Sequence, residues 1–84
     1  MNRQDTVRDL VVEYGKLTAA ASELTATTDL YRAGLTSHAT ITLMLAIEDA
    51  FDVEFPQAAM KKATFETIAS IDNELIALGV EDEL

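Results

Sequence analysis

The sequence has no cysteine and no tryptophan, and only one proline, three glycines and one histidine among its 84 residues. Without cysteine the fold has neither a disulfide nor a thiolate nucleophile. Basic residues are also scarce: six Lys and Arg stand against 15 Asp and Glu, for a net charge of −9. This balance argues against nucleic acid as a partner, because nucleic-acid binding draws on Lys and Arg contacts to phosphates.

Membrane and secretory signals are missing as well. No basic region precedes an apolar stretch at the N-terminus, and no apolar run reaches the ~20 residues that a membrane span needs. We therefore expect a cytoplasmic protein that does not bind a membrane. The 49% hydrophobic content predicts a packed core in a single domain over residues 1–84, with an acidic tail at 80–84 that frays.

The apolar spacing predicts an all-α fold, a bundle of three longer helices and one short helix. The first helix covers residues 5–16, with Asp5 or Thr6 as its N-cap and one apolar face made of Val7, Leu10, Val11, Tyr14 and Leu17. A short turn of helix follows at 57–62. The last helix is expected to begin at Thr64, with Glu66 in its first turn, and to end at Gly79. Its apolar face comprises Phe65, Ile68, Ile71, Leu75 and Leu78.

Residues 17–35 show no sustained period and form a long loop, which in a compact domain is usually functional when it is ordered. We expect four side chains to pin this loop to the core: Leu24, Leu30, Tyr31 and Leu35.

The second helix has two apolar faces. It is predicted to begin at Thr36 or Ser37, the hydroxyl residues before the apolar run, and to end near Asp52. At about 100° per residue, one face gathers the expected core positions, which are Leu43, Met44, Ile47, Ala50 and Phe51. Ile41 and Leu45 lie nearly opposite, so they are either solvated or part of a docking surface. The polar residues beside them are His38, Thr42, Glu48 and Asp49.

The sequence offers little catalytic chemistry. Ser37 and His38 are adjacent, but neighbours on a helix do not face each other, and there is no second histidine to act as a base. One histidine and no cysteine make a poor transition-metal site, and the nearby acids Asp49, Asp52 and Glu54 lack the spacing of an EF-hand loop. We therefore expect a protein that is not an enzyme and binds no metal.

The loop and helix together resemble the acyl carrier protein family, which includes the peptidyl carrier domains of peptide synthetases. The loop Asp29-Leu30-Tyr31-Arg32-Ala33-Gly34-Leu35-Thr36-Ser37 matches the family pattern Asp-Leu-aromatic-x-x-Gly-x-x-Ser. An amphipathic helix, the segment Phe51-Asp52-Val53 with Phe55-Pro56, and the Thr64-Phe65 opening of the last helix extend the match. The resemblance covers essentially the whole domain.

This resemblance implies that Ser37 receives a 4′-phosphopantetheine arm from coenzyme A through a phosphopantetheinyl transferase. The thiol of the arm would hold a cargo as a thioester, and a loading ligase and a downstream acceptor enzyme would supply the chemistry. The carrier itself is expected to be a monomer. Its predicted docking residues are Thr36, His38, Ile41, Thr42, Leu45, Glu48 and Asp49.

Two positions depart from the family pattern, because the usual Asp-Ser-Leu triplet is Thr36-Ser37-His38 here. The run Gly-Leu-Thr-Ser-His-Ala, together with Leu43-Met44-Leu45 and Phe51-Asp52-Val53-Glu54-Phe55-Pro56, also resembles a narrower group, the stand-alone bacterial aminoacyl carrier proteins. The resemblance implies loading with an amino acid, such as glycine or alanine, by a ligase that resembles the catalytic core of class II seryl-tRNA synthetases. Three alternatives remain open: a fatty-acid or polyketide carrier, an unmodified helical adaptor in which Ser37 is only an N-cap, and a small enzyme that uses Ser37.

Overall fold

A computed structural model describes residues 2–81, and these residues fold into helices without a strand. The three α-helices are α1 (Arg3–Tyr14), α2 (Ser37–Phe51) and α3 (Ile68–Ala77). The all-α prediction is confirmed. The short helix predicted at 57–62 is a 3₁₀ turn and ends earlier than predicted, since it covers only Gln57–Ala59; a second 3₁₀ turn, Lys62–Phe65, follows it. Of the acidic tail predicted to fray, residues 82–84 lie outside the described part of the chain.

α1 begins earlier than its apolar pattern predicts. Neither Asp5 nor Thr6 is its N-cap: Asn2 is, and its side-chain oxygen accepts a hydrogen bond from the Asp5 backbone N–H at 2.8 Å. Asparagine is among the strongest N-cap residues, so the helix begins about one turn before its first buried residue, Val7. The predicted apolar face is confirmed, since Val7 and Val11 are fully buried and the other three residues pack on the core.

α3 begins later than predicted, and Thr64 is not its N-cap. Thr64 is buried within the 3₁₀ turn Lys62–Phe65. The cap is Thr67, whose hydroxyl accepts from the Ser70 N–H at 2.9 Å while the Ser70 hydroxyl accepts from the Thr67 N–H at 3.0 Å. This reciprocal capping box satisfies two backbone donors at once. Glu66 therefore precedes the helix and does not lie in its first turn.

A single hydrophobic core joins the three α-helices and the segments between them. α1 contacts both α2 and α3. Phe55 and Phe65 meet edge-on within this core, with ring centroids 5.5 Å apart, a favoured geometry for aromatic pairs. The fully buried side chains are Val7, Val11, Leu30, Leu43, Ile47, Ile68, Ile71 and Leu75.

The long loop is ordered, and three of its four predicted anchors, Leu24, Leu30 and Leu35, are buried, while Tyr31 is half-buried. Its backbone is tied to the last part of the chain, because the Leu30 N–H donates to the Glu66 carbonyl at 2.8 Å. Gly34 adopts a φ of +115°, and a Cβ there would lie 2.8 Å from the Thr18 backbone nitrogen. Only glycine fits this close approach without strain.

An ion pair connects the two ends of the described chain. The guanidinium of Arg3, at the start of α1, bonds the carboxylate of Asp72 on α3, with a second contact between Nη2 and Oδ2 at 3.3 Å. Arg3 also donates to the Val80 carbonyl at 3.4 Å. The Asp72 side chain is only 10% exposed. This contact therefore fixes α1 against α3 at the side of the bundle where the chain starts.

No helix within residues 2–81 has the length and the apolar character to cross a bilayer.

Candidate functional site

The site lies where the long loop ends and α2 begins. Thr36 is the N-cap, and its hydroxyl accepts from the Ala39 N–H at 3.1 Å. Its carbonyl also accepts from the Thr40 hydroxyl at 2.8 Å. Asp and Thr both cap helices through a side-chain oxygen, so Thr36 can make the capping bond that the family's usual Asp would make, but it carries no negative charge.

Ser37 is the first residue of α2, and its side chain is exposed. Within residues 2–81 its hydroxyl makes no hydrogen bond, so it is not the helix cap. The backbone N–H groups of Ser37 and His38 also have no acceptor in this part of the chain. Free N–H groups and the positive end of the helix dipole favour an anion at this position.

The loop fixes the position of Ser37. Asp29 closes a turn by accepting from the backbone N–H groups of Tyr31 at 3.0 Å and Arg32 at 3.3 Å. The Leu35 N–H then donates to the Leu30 carbonyl at 2.9 Å, and both leucine side chains are buried. Because two buried anchors precede Thr36 so closely, the first turn of α2 starts from a fixed point on the core.

The exposed face of α2 is where the periodicity predicts it. Ile41 is 57% exposed and Leu45 is 56% exposed, and His38, Thr42 and Asp49 are exposed as well. The expected core face is confirmed for Leu43 and Ile47, which are buried, and for Met44 and Phe51, which are half-buried. Ala50 is exposed, because it lies at the edge of the apolar stripe in the last turn of the helix.

Glu48 has a structural contact that its position on the helix does not predict. One of its carboxylate oxygens accepts from the Phe55 backbone N–H at 2.8 Å. Together with Asp52, which ends α2 in a left-handed conformation with a φ of 54°, this bond turns the chain back toward the core. Half-buried Glu48 therefore stabilises the end of α2, whatever it contributes to docking.

A groove of about 630 Å³ opens beside Ser37. One side is formed by the end of the loop and by α2, and the other by the stretch from Met60 to Phe65. Its apolar lining includes Met44, which is half-buried, and Met60, which is 47% exposed. The groove is lined by Tyr31, Leu35, Thr36, Ser37, Thr40, Ile41, Met44, Met60, Lys61, Lys62 and Phe65.

Tyr31 connects the two sides of the groove. Its hydroxyl donates to the Lys62 carbonyl at 3.2 Å, and the Lys62 ammonium lies 5.0 Å from the centre of its ring, within the range of a cation–π contact. Burial disfavours the phenolate and raises the pKa of Tyr31, and the negative charges of Glu66 and Asp29 act in the same direction, against a bond to Thr40 that lowers it. The phenol is therefore neutral at neutral pH.

The described residues contain no cluster of His, Asp and Glu that could hold a metal ion. His38 is exposed, and so are Lys16, Lys61 and Lys62. The chemistry that the site itself provides is thus an accessible hydroxyl at a helix N-terminus, next to an apolar groove with two ammonium groups. Such a site suits covalent attachment of a group that carries a negative charge.

Comparisons with known proteins show the family to which this chain belongs. The family model for the phosphopantetheine attachment site matches residues 5–80. The aminoacyl carrier protein of Agrobacterium fabrum is 38% identical over 68 residues, which cover 81% of this chain and 82% of that protein.

Two crystal structures of ligase complexes contain similar chains. In the engineered Bradyrhizobium japonicum glycine:[carrier protein] ligase complexed with carrier protein from Agrobacterium tumefaciens and ATP, the matching chain has a TM-score of 0.84 and 35% identity, over 88% of this chain and 96% of that one. In the Bradyrhizobium japonicum glycine:[carrier protein] ligase complexed with glycylated carrier protein, the matching chain has a TM-score of 0.74 and 25% identity, over 86% of this chain and 96% of that one.

The fold and the site define a small helical domain that presents a side chain for covalent loading. The chain belongs to the phosphopantetheine attachment family, the carrier proteins. The predicted resemblance is confirmed, and with it the cofactor, 4′-phosphopantetheine. The residues present fit this group, since a free serine hydroxyl, two unpaired N–H groups and a groove lie together at the start of α2.

The second side of the groove is the feature that sequence reasoning missed. The residues from Met60 to Phe65 were predicted as a helical turn and a helix start, not as part of a site. One signal was available: Lys61 and Lys62 are two of only six basic residues, and they are adjacent in a chain of net charge −9.

Proposed function

We propose that Ser37 carries the 4′-phosphopantetheine arm. Its exposed hydroxyl, which makes no hydrogen bond within residues 2–81, is the observation that supports this assignment. The other two serines are poorer candidates: the Ser70 hydroxyl is held in the capping box of α3, and Ser22 lies in a 3₁₀ turn of three residues.

In the attachment step, Ser37 Oγ forms a bond to the phosphorus of the phosphopantetheine part of coenzyme A. The pyrophosphate bond breaks, and adenosine 3′,5′-bisphosphate leaves. A separate phosphopantetheinyl transferase supplies the base that accepts the hydroxyl proton, since the neighbouring His38 does not face Ser37 on the helix. The carrier contributes the hydroxyl and the surface on which the transferase docks.

Peptide mass spectrometry tests the assignment. Protein incubated with coenzyme A and a transferase of broad specificity should carry one phosphopantetheine on the peptide that contains Ser37. Ser37→Ala should remain unmodified, and Ser22→Ala, which also removes an exposed serine, should be modified like the wild type. An arm on Ser22, or no arm on the wild-type protein with any transferase tried, would contradict the proposal.

We also propose that the cargo is an amino acid, with glycine or alanine as the first candidates. The support is the likeness to the aminoacyl carrier protein of Agrobacterium fabrum and to the chains solved with a glycine:[carrier protein] ligase. The partner would be a ligase of that kind, which forms an aminoacyl thioester on the thiol of the arm. Partner enzymes thus supply the catalysis.

The docking surface proposed for these partners is the exposed face of α2. It comprises Thr36, His38, Ile41, Thr42, Leu45 and Asp49, with Glu48 at its half-buried edge. Two aliphatic side chains one turn apart, surrounded by hydroxyl and acidic groups, suit a partner with a small apolar contact and a basic rim.

A fatty-acid or polyketide carrier is the second candidate, because the groove beside Ser37 has an apolar lining in which Met44 and Met60 take part. Methionine adapts to ligands of varied shape. Loading assays separate the two candidates: the modified protein is offered ATP and glycine with a glycine:[carrier protein] ligase, or a fatty acyl donor with its own loading enzyme. An acyl thioester without any aminoacyl thioester would favour the second candidate.

A further inference from the structure

Two lysines lie beside Ser37 without a carboxylate partner. Lys61 and Lys62 line the same groove as Ser37, and in the described residues neither ammonium group has a carboxylate oxygen within 4.0 Å, although the chain has 15 acidic residues. Of the other basic residues, Arg3 pairs with Asp72 and Arg32 lies 3.9 Å from Asp29. Arg8 and Lys16 have no ion pair within residues 2–81, but neither lines the groove. What distinguishes Lys61 and Lys62 is that they are adjacent, lack a carboxylate partner and line the groove beside Ser37.

The surroundings of Ser37 support the same charge distribution. Thr36 provides the N-cap without a carboxylate, and His38 follows Ser37 on the helix. Glu66 and Asp29 are the acidic residues whose charges act on Tyr31. Neither of them lines the groove. A phosphodiester on Ser37 would therefore meet free N–H groups on the helix side and ammonium groups across the groove.

We propose that Lys61 and Lys62 bind the phosphodiester of the Ser37-linked arm and thereby hold the arm along the groove. The two lysines are positioning residues, and the inference rests on the proposed attachment at Ser37. Lys62 is itself oriented by its contact with the Tyr31 ring at 5.0 Å, and its carbonyl accepts from the Tyr31 hydroxyl. Lys61 has no such contact and depends on charge alone.

The inference predicts a salt-dependent arm. Screening shortens the reach of a charge from about 30 Å at 0.01 M salt to about 3 Å at 1 M. The held arm should therefore be released as salt rises. Exposed ion pairs contribute little each, so removing one lysine should lower the population of the held arm roughly twofold to fivefold.

The test compares ¹⁵N-labelled apo and arm-bearing proteins by the shift of each backbone amide. Intact mass first establishes that the arm is present; a wild type that takes no arm overturns the attachment at Ser37 and, with it, the inference on the lysines. With the arm present, amide shifts should change at residues 60–65 and at Tyr31 in about 0.01 M salt, and these changes should fall by more than half in about 1 M salt.

Three variants make the result specific. The double substitution Lys61→Gln with Lys62→Gln should lose most of the change at residues 60–65. Lys61→Gln alone keeps the Lys62–Tyr31 contact and should lose part of the shift change at residues 60–65. A partial loss in this variant cannot result from repacking of Tyr31. Lys16→Gln, the same charge change at another exposed lysine, should behave like the wild type. Shift changes confined to residues 36–38 in the wild type, or unaltered in the double variant, would overturn the inference.

Discussion

The separation of roles between Thr36 and Ser37 gives a sharp prediction, because the two adjacent hydroxyls differ in their bonds. The Thr36 hydroxyl accepts from the Ala39 N–H at 3.1 Å, whereas the Ser37 hydroxyl makes no hydrogen bond within residues 2–81. Removing an N-cap side chain costs about 1 kcal/mol, but an exposed substitution that breaks no bond costs less than about 0.5 kcal/mol. Thr36→Ala should therefore destabilise the unmodified protein, and Ser37→Ala should not.

The difference is measurable by thermal unfolding followed by circular dichroism. For a domain of this size, 1 kcal/mol corresponds to a fall of about 4–8 °C in Tm, which Thr36→Ala should show. Thr36→Ser retains the capping oxygen and should stay close to the wild type. If Ser37→Ala lowered Tm as much as Thr36→Ala, then Ser37 would be a cap, as the helical adaptor alternative requires, and the geometry described for this turn would be wrong.

Further predictions concern the faces of α2 and the ends of the chain. Leu43→Ala, at a fully buried site, should cost about 2–5 kcal/mol in urea unfolding; an unchanged midpoint would refute its place in the core. Leu45→Glu should keep the unfolding midpoint of the wild type and slow loading by a partner ligase, whereas unfolding of this variant would mean that Leu45 is a core residue. Asp72→Ala removes the carboxylate that bonds Arg3 between α1 and α3 and should cost about 1.5–3 kcal/mol; Asp9→Ala, at an exposed site on α1, is the matched control, and equal stability of the two variants would contradict the importance of the pair.

The faces of the helices could be predicted from the sequence, but the exact helix ends could not. Periodicity predicts Leu43 and Ile47 in the core and leaves Ile41 and Leu45 on the opposite face. It does so because residues that recur with the 3.6-residue period of a helix lie on the same face. The position of a helix N-cap depends on the competition between neighbouring residues that can each serve as the cap. Thr64 and Thr67 are both good caps, and Thr67 is used because Ser70 returns the hydrogen bond and Phe65 is needed in the core.

Only the part of the candidate site that is built from residues contiguous in the sequence could be predicted. The loop, Thr36, Ser37 and the exposed face of α2 follow one another in sequence, so their relation is visible there. The groove joins Tyr31 and Thr40 to Met60, Lys61 and Phe65, residues that meet only after folding. Likewise, the bond from Phe55 to Glu48 spans a turn whose shape no local pattern specifies.

The function proposed for this chain requires an arm on Ser37 that in turn carries an amino acid. The most direct measurement is the intact mass of the protein after treatment with coenzyme A and a transferase, and then with ATP, glycine and a glycine:[carrier protein] ligase. The wild type should show two successive additions, one phosphopantetheine and then one glycyl group released by hydroxylamine, and Ser37→Ala should show neither. A wild-type protein that gains no arm, or a glycyl group that still appears on Ser37→Ala, would contradict the assignment of the arm to Ser37.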